Sequence, residues 1–204
     1  MNPNWAEENL QTIRTLMERS ALYRRALAPI VIFAGVMGVL AAAAGLVFHL
    51  DSSFAFGGLW LGTAVVAIIG AFLIARQQAI KDKESFWSPP TRRVAQALLP
   101  PLASGMFLGL TNLLLSEKAD DFVPLIWAIF YGCALHSAGF FMPHGMKWFG
   151  WIFIALAGII LCVLAVVQPN IEISAHWLMG FFFGVLHLAY GAYLYLTEEG
   201  KNAA

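Results

Sequence analysis

Six apolar stretches, each long enough to cross a bilayer as a helix, constrain this chain more than any other feature. A transmembrane helix needs about 20 apolar residues to cross a hydrocarbon core of about 30 Å. No Asp, Glu, Lys or Arg lies deep inside any of the stretches. The chain is 60% hydrophobic and only 12% charged, which is typical of integral membrane proteins and not of soluble domains. The predicted spans are 27–49, 54–76, 94–116, 122–142, 147–168 and 173–196.

The polar segments between these spans predict how the helices follow one another. The segments are short apart from one long internal loop, 77–93, so consecutive helices are expected to form three antiparallel hairpins. Residues 1–26 carry apolar side chains at helical spacing among charged ones, and this pattern predicts an amphipathic helix at the membrane surface. The predicted fold is therefore an all-α polytopic bundle over 27–196, with that surface helix before it and a short tail at 197–204.

The distribution of basic residues predicts the orientation of the bundle. If the N-terminus is cytoplasmic and there are six spans, 11 of the 12 Lys and Arg residues lie on the cytoplasmic side and only Lys118 lies outside. Positive residues are enriched in cytoplasmic loops of membrane proteins. We therefore predict a protein of the bacterial inner (plasma) membrane with both termini in the cytoplasm.

Glycines recur at helical spacing in several spans. Gly58 and Gly62 form a GxxxG pair in the second span, and Gly180, Gly184 and Gly191 form a stripe in the last one. Small residues let helices approach closely in lipid, where no hydrophobic effect drives helices together. These stripes predict close helix–helix contacts. Because His187 falls at the same helical offsets in the last span, it is expected to share that stripe and to point into the bundle.

Two histidines, His136 and His187, are expected at nearly the same depth on the fourth and sixth spans. Three interpretations remain open for them. Each ring could donate to a carbonyl or a hydroxyl of a neighbouring helix, with a structural role only. The pair could instead be the axial ligands of a b-type haem, or could line a cavity for a quinone or a small solute. The residues predicted to line such a cavity are Asn112, Tyr131, Gly132, Gly184 and Tyr190.

The remaining histidines and the cysteines suggest no metal or disulfide site. His49, His144 and His176 lie near the predicted membrane boundaries and are expected to be solvated. The two cysteines lie inside apolar segments at different predicted depths, so we expect small buried side chains and no disulfide.

Several classes of function are made less plausible by motifs and residues that the sequence lacks. It contains no GxSxG, HExxH, P-loop, CxxC or dinucleotide-binding fingerprint, so no enzymatic activity is predicted. A formal net charge of zero argues against a nucleic-acid partner. The lack of a deeply placed Asp, Glu, Lys or Arg weakens the case for a proton- or sodium-coupled carrier. The favoured interpretation is a non-enzymatic membrane protein that acts through a partner or through self-association at its cytoplasmic face, with 1–26 and 77–93 as the contact segments.

Overall fold

The computed structural model describes residues 26–83, 86–115, 122–142, 145–167 and 173–202. Every regular element in these ranges is a helix, which confirms the all-α prediction for this part of the chain. The predicted surface helix lies outside the described residues, apart from residue 26. The helices are α1 (Ala26–Val47), α2 (Ser53–Lys81), α3 (Pro89–Leu115), α4 (Phe122–Ala138), α5 (Gly145–Val167), α6 (Ala175–Met179), a π-helical turn (Gly180–Val185) and α7 (Leu186–Asn202). The last three are continuous and together form the C-terminal helix.

Five helices are long and apolar enough to cross a membrane: α1, α2, α3, α5 and the C-terminal helix. The fourth predicted span is shorter than expected. Helix α4 ends at Ala138, because the chain turns there and the Phe141 amide donates to the Ala138 carbonyl at 2.9 Å. Its 17 residues correspond to about 25 Å of helix. The six-span topology therefore remains a prediction, whereas the membrane-spanning character of the other helices agrees with the sequence.

A tight turn joins α1 to α2. The Leu50 amide donates to the Gly45 carbonyl at 3.0 Å, and His49 adopts a positive φ of 51°, a conformation that commonly ends a helix. Ser52 then caps α2, since its hydroxyl accepts from the Ala55 amide at 3.3 Å. The turn thus leads the chain directly from α1 into α2.

Helix α1 packs against the C-terminal helix along a seam of small residues. A Cβ built on Gly38 would lie 2.8 Å from the Gly184 amide nitrogen, and one built on Gly180 would lie 2.7 Å from the Ala42 Cβ. As the residue number rises on one helix it falls on the other, so the two helices are antiparallel. This seam confirms the prediction that the glycines of the last span mark a close helix contact.

Helix α4 occupies a position between α3 and α5. The indole of Trp127 lies directly against Gly109 of α3. On its other side, a Cβ on Gly132 would come within 2.7 Å of the Gly150 carbonyl oxygen of α5. Glycine therefore makes room for an indole ring at the first contact and for a close approach of two backbones at the second. Helix α4 thus packs against both α3 and α5.

Helix α2 is the most exposed of the five long helices. Only 6% of the residues in its most apolar stretch are buried, against 44% in that of the C-terminal helix. Its outward face carries large apolar side chains such as Val65, Ile69 and Leu73. A Cβ added to Gly58 or Gly62 would meet no described residue within 4 Å. Unlike the glycines of α1, α3 and α4 named above, this GxxxG pair makes no packing contact with the part of the chain that the structure describes.

Candidate functional site

A hydrogen-bonded pair, Tyr131 and His187, lies in the centre of the bundle. The Tyr131 hydroxyl is 2.8 Å from Nε2 of His187, and Nδ1 of the same ring is 3.1 Å from the Phe182 carbonyl. A carbonyl can only accept, so Nδ1 carries a proton, and in the neutral ring Nε2 accepts from the tyrosine. His187 is 2% exposed. Both nitrogens of this buried ring are therefore engaged inside the chain.

The π-helical turn explains why Phe182 offers a carbonyl to His187. In this turn the Leu186 amide donates to the Phe181 carbonyl, five residues back, so the ladder of α-helical bonds is interrupted. The His187 side chain then reaches the carbonyl five residues before it. Single π-turns are rare and frequently occur at functional sites. The sequence showed no signal for this turn beyond the two glycines that flank its phenylalanines.

Aromatic rings surround the pair on the side of α5. The His187 ring lies 5.4 Å from Phe149 and 5.5 Å from Phe153, both in edge-on geometry. Phe183 is stacked at 6.0 Å. The predicted stripe is therefore split: the glycines of the C-terminal helix face α1, whereas His187 faces α4 and α5. Rings fill the space around this imidazole, and the contacts are those of a packed core.

His136, the other predicted member of the site, lies elsewhere on α4. Its ring is 5.4 Å from Phe140 and 5.4 Å from Trp151, and Nδ1 is 3.5 Å from the Lys147 carbonyl. None of these neighbours also contacts His187. The structure thus does not bring the two histidines to one site, although both lie on the helices where the sequence placed them.

The two glycines that were predicted to line the cavity, Gly132 and Gly184, lie against neighbouring helices. A Cβ on Gly132 would lie 2.8 Å from the Phe153 Cβ, and one on Gly184 would lie 2.8 Å from a methyl carbon of Val39. With both nitrogens of His187 already bonded, these residues do not fit axial ligation of a haem. The interpretation that the geometry favours is the structural one, in which each imidazole joins neighbouring helices.

Two other predicted cavity residues have unpaired polar atoms. Asn112 Oδ1 and the Tyr190 hydroxyl are buried without a hydrogen-bond partner. The Tyr190 ring stacks on Phe149, with centroids 4.2 Å apart and an interplanar angle of 12°. Tyr190 thus adjoins the surroundings of His187, whereas the structure records no contact that joins Asn112 to either histidine.

A third buried histidine, His176, was expected to be solvated, and that expectation is wrong. It is 1% exposed. Its Nδ1 is 3.2 Å from the indole nitrogen of Trp60, and its Nε2 is 3.1 Å from the Leu50 carbonyl. The position near a helix end suggested solvent, but α1 offers Gly45 at this level, where a Cβ would overlap the imidazole ring. The glycine was the available signal, since it leaves space for a ring from another helix.

Within the described ranges, the chemistry available to the interior is limited. The buried polar or charged residues there are Ser53, His176 and His187, so no carboxylate, lysine or arginine is buried among them. No group of three or more His, Cys, Asp or Glu residues in the same ranges could hold a metal ion. No protein-family model, curated protein or solved structure matched the chain in the comparisons.

Proposed function

We propose that this chain is a non-enzymatic integral membrane protein that acts by association, first with a second copy of itself through α2 and then with a partner at its basic face. Two features support the proposal. The ring nitrogens of the buried histidines are hydrogen-bonded inside the chain, and α2 leaves a self-complementary surface open. The basic face is taken to be cytoplasmic, in accordance with the positive-inside pattern.

The open GxxxG pair of α2 is the observation that carries this proposal. Within the described ranges, Gly58 and Gly62 have no neighbour within 4 Å of an added Cβ, and they lie one helical turn apart on the same face. In lipid, such a pair allows two backbones to approach closely, and van der Waals contact then stabilises the helix pair. Two copies in one membrane share one orientation, so their α2 helices would be parallel and related by a two-fold axis.

Self-association can be measured by energy transfer between donor- and acceptor-labelled copies in lipid vesicles, as the protein is diluted with lipid. The double variant Gly58→Leu/Gly62→Leu should weaken association by roughly tenfold or more, about 1.4 kcal/mol or more, because the leucines separate the backbones. Gly158→Leu is the matched control, since a Cβ at Gly158 of α5 also meets nothing within 4 Å. Equal effects of the two substitutions, or none, would remove the basis of the proposal.

The second contact would be made by the basic end of the bundle. Exposed Arg76, Lys81, Arg92 and Arg93 lie where α2 ends and α3 begins. Opposite charges steer association and set its specificity, so a partner with an acidic surface fits this end. Residues 1–26 were predicted to contribute to the same face, but they lie outside the described residues except for residue 26.

A charge-reversal experiment tests this contact. Proteins that are cross-linked in intact membranes should be lost from Arg92→Glu/Arg93→Glu and retained in Arg92→Lys/Arg93→Lys, which keeps the charge. Since basic residues also set topology, a reporter fused after residue 202 must show an unchanged location in both variants. Retention of every cross-linked partner in the charge-reversed protein would contradict this part of the proposal.

A further inference from the structure

His176 joins three elements at the end of the bundle that carries the α1–α2 turn. The ring belongs to the first turn of the C-terminal helix, it accepts from Trp60 of α2, and it reaches the Leu50 carbonyl of the turn. Phe56 packs against it with ring centroids 5.1 Å apart. Trp60 is itself only 3% exposed. A single side chain therefore ties the α1–α2 turn and α2 to the C-terminal helix.

The identity of the two partners fixes the protonation state that this arrangement accepts. The indole nitrogen of Trp60 is a donor only, so Nδ1 of His176 must be without a proton. The Leu50 carbonyl is an acceptor only, so Nε2 must carry the proton. An imidazolium has N–H on both nitrogens, so its Nδ1–H would point at the N–H of the indole. The two nitrogens are 3.2 Å apart. The closed arrangement thus has no place for a second proton.

We propose that His176 is an acid-sensitive latch, which holds the α1–α2 turn and α2 against the C-terminal helix and releases them when the imidazole becomes protonated. A proton that binds only the released arrangement shifts the equilibrium toward that arrangement. Histidine is the side chain whose charge ordinarily changes near physiological pH. The latch would respond to acidification on the side of the membrane that the turn faces.

Among the described residues recorded in contact with the ring, none carries a charge that would compensate a second proton. The residues recorded in contact with it from the other elements are Gly45 of α1, Leu50 of the turn, and Phe56 and Trp60 of α2. None has an ionisable side chain. In the described chain, His49 and Asp51 flank Leu50, and both are exposed. No acidic side chain among the ring's recorded contacts could therefore stabilise an imidazolium in the closed arrangement.

Hydrogen exchange of the full chain in lipid nanodiscs tests the latch. The measured peptide covers the α1–α2 turn and the first two turns of α2. Its exchange rate is compared at about pH 7.5 and about pH 4.5, a range that spans ordinary imidazole titration. Each rate is divided by the intrinsic exchange rate at that pH. The corrected rate should rise at least roughly tenfold at the acidic pH, because a proton that binds only the released arrangement shifts the equilibrium toward that arrangement. A peptide from α5 should show no such rise.

Two variants separate the latch from a general effect of acid. His176→Asn keeps a carbonyl oxygen that can accept from Trp60 but does not titrate, and Trp60→Phe keeps a ring but removes the opposing donor. Both should exchange at similar corrected rates at the two pH values. His49→Gln should behave like the unmodified chain. The proposal is overturned if the unmodified chain shows no rise, or if His176→Asn shows the same rise.

Discussion

Substitution by alanine is expected to have opposite effects on stability at two glycines: Gly38, in the seam between α1 and the C-terminal helix, and Gly58, on the open face of α2. Gly38→Ala places a methyl group 2.8 Å from the Gly184 amide nitrogen, and the Phe183 carbonyl group lies closer still. Ordinary contacts begin about 0.6 Å further out, and the obstacle is backbone, so the two helices must separate. Such overpacking typically costs about 1–3 kcal/mol. Alanine has a helix propensity about 1 kcal/mol more favourable than that of glycine, so the net loss in the free energy of unfolding is at most about 2 kcal/mol.

Gly58→Ala supplies the reference for this prediction. The added methyl group meets no described residue within 4 Å, so only the helix propensity changes, and the free energy of unfolding should rise by about 0.5–1 kcal/mol. Equilibrium unfolding in mixed micelles of mild detergent and sodium dodecyl sulfate measures both changes, at a dilution where the protein is monomeric. Changes of the same sign and similar size in the two variants would refute the packing argument.

Three further predictions concern the buried side chains. Tyr131→Phe leaves Nε2 of His187 without its donor, so the free energy of unfolding should fall by about 1–3 kcal/mol in the same micelle assay, and an unchanged value would contradict the assigned bond. Trp60→Phe leaves Nδ1 of His176 without a donor, and a loss of similar size is expected at neutral pH. Protein produced with haem available should show no Soret absorbance, since both nitrogens of His187 are engaged; a Soret band that disappears in His187→Ala would overturn that assignment.

The helices and one of their contacts could be predicted from the sequence because each depends on a local pattern. Runs of apolar residues locate the helices, and the spacing of Gly180 and Gly184 indicated the face that meets α1. The ends were less predictable, since α4 stops at Ala138 through a turn whose hydrogen bonds leave no mark on hydropathy.

The candidate site was less predictable than the helices. The expected depths of His136 and His187 followed from counting residues, but depth does not fix direction around a helix axis. The π-turn adds a residue to one turn of the C-terminal helix and so changes that direction, which no α-helical count could include. His176 was missed for a related reason: its burial depends on Gly45 and Trp60 of other helices, which only the tertiary arrangement brings together.

The central claim is that two copies associate through α2. Disulfide trapping in native membranes tests this claim most directly. In a background without Cys133 and Cys162, Gly58→Cys and Gly158→Cys each place one thiol where the added Cβ meets no neighbour in the described part of the chain. Mild oxidation should convert most of the Gly58→Cys protein to a covalent dimer and leave the Gly158→Cys protein monomeric. Equal cross-linking of both variants, or cross-linking at position 158 alone, would contradict the account.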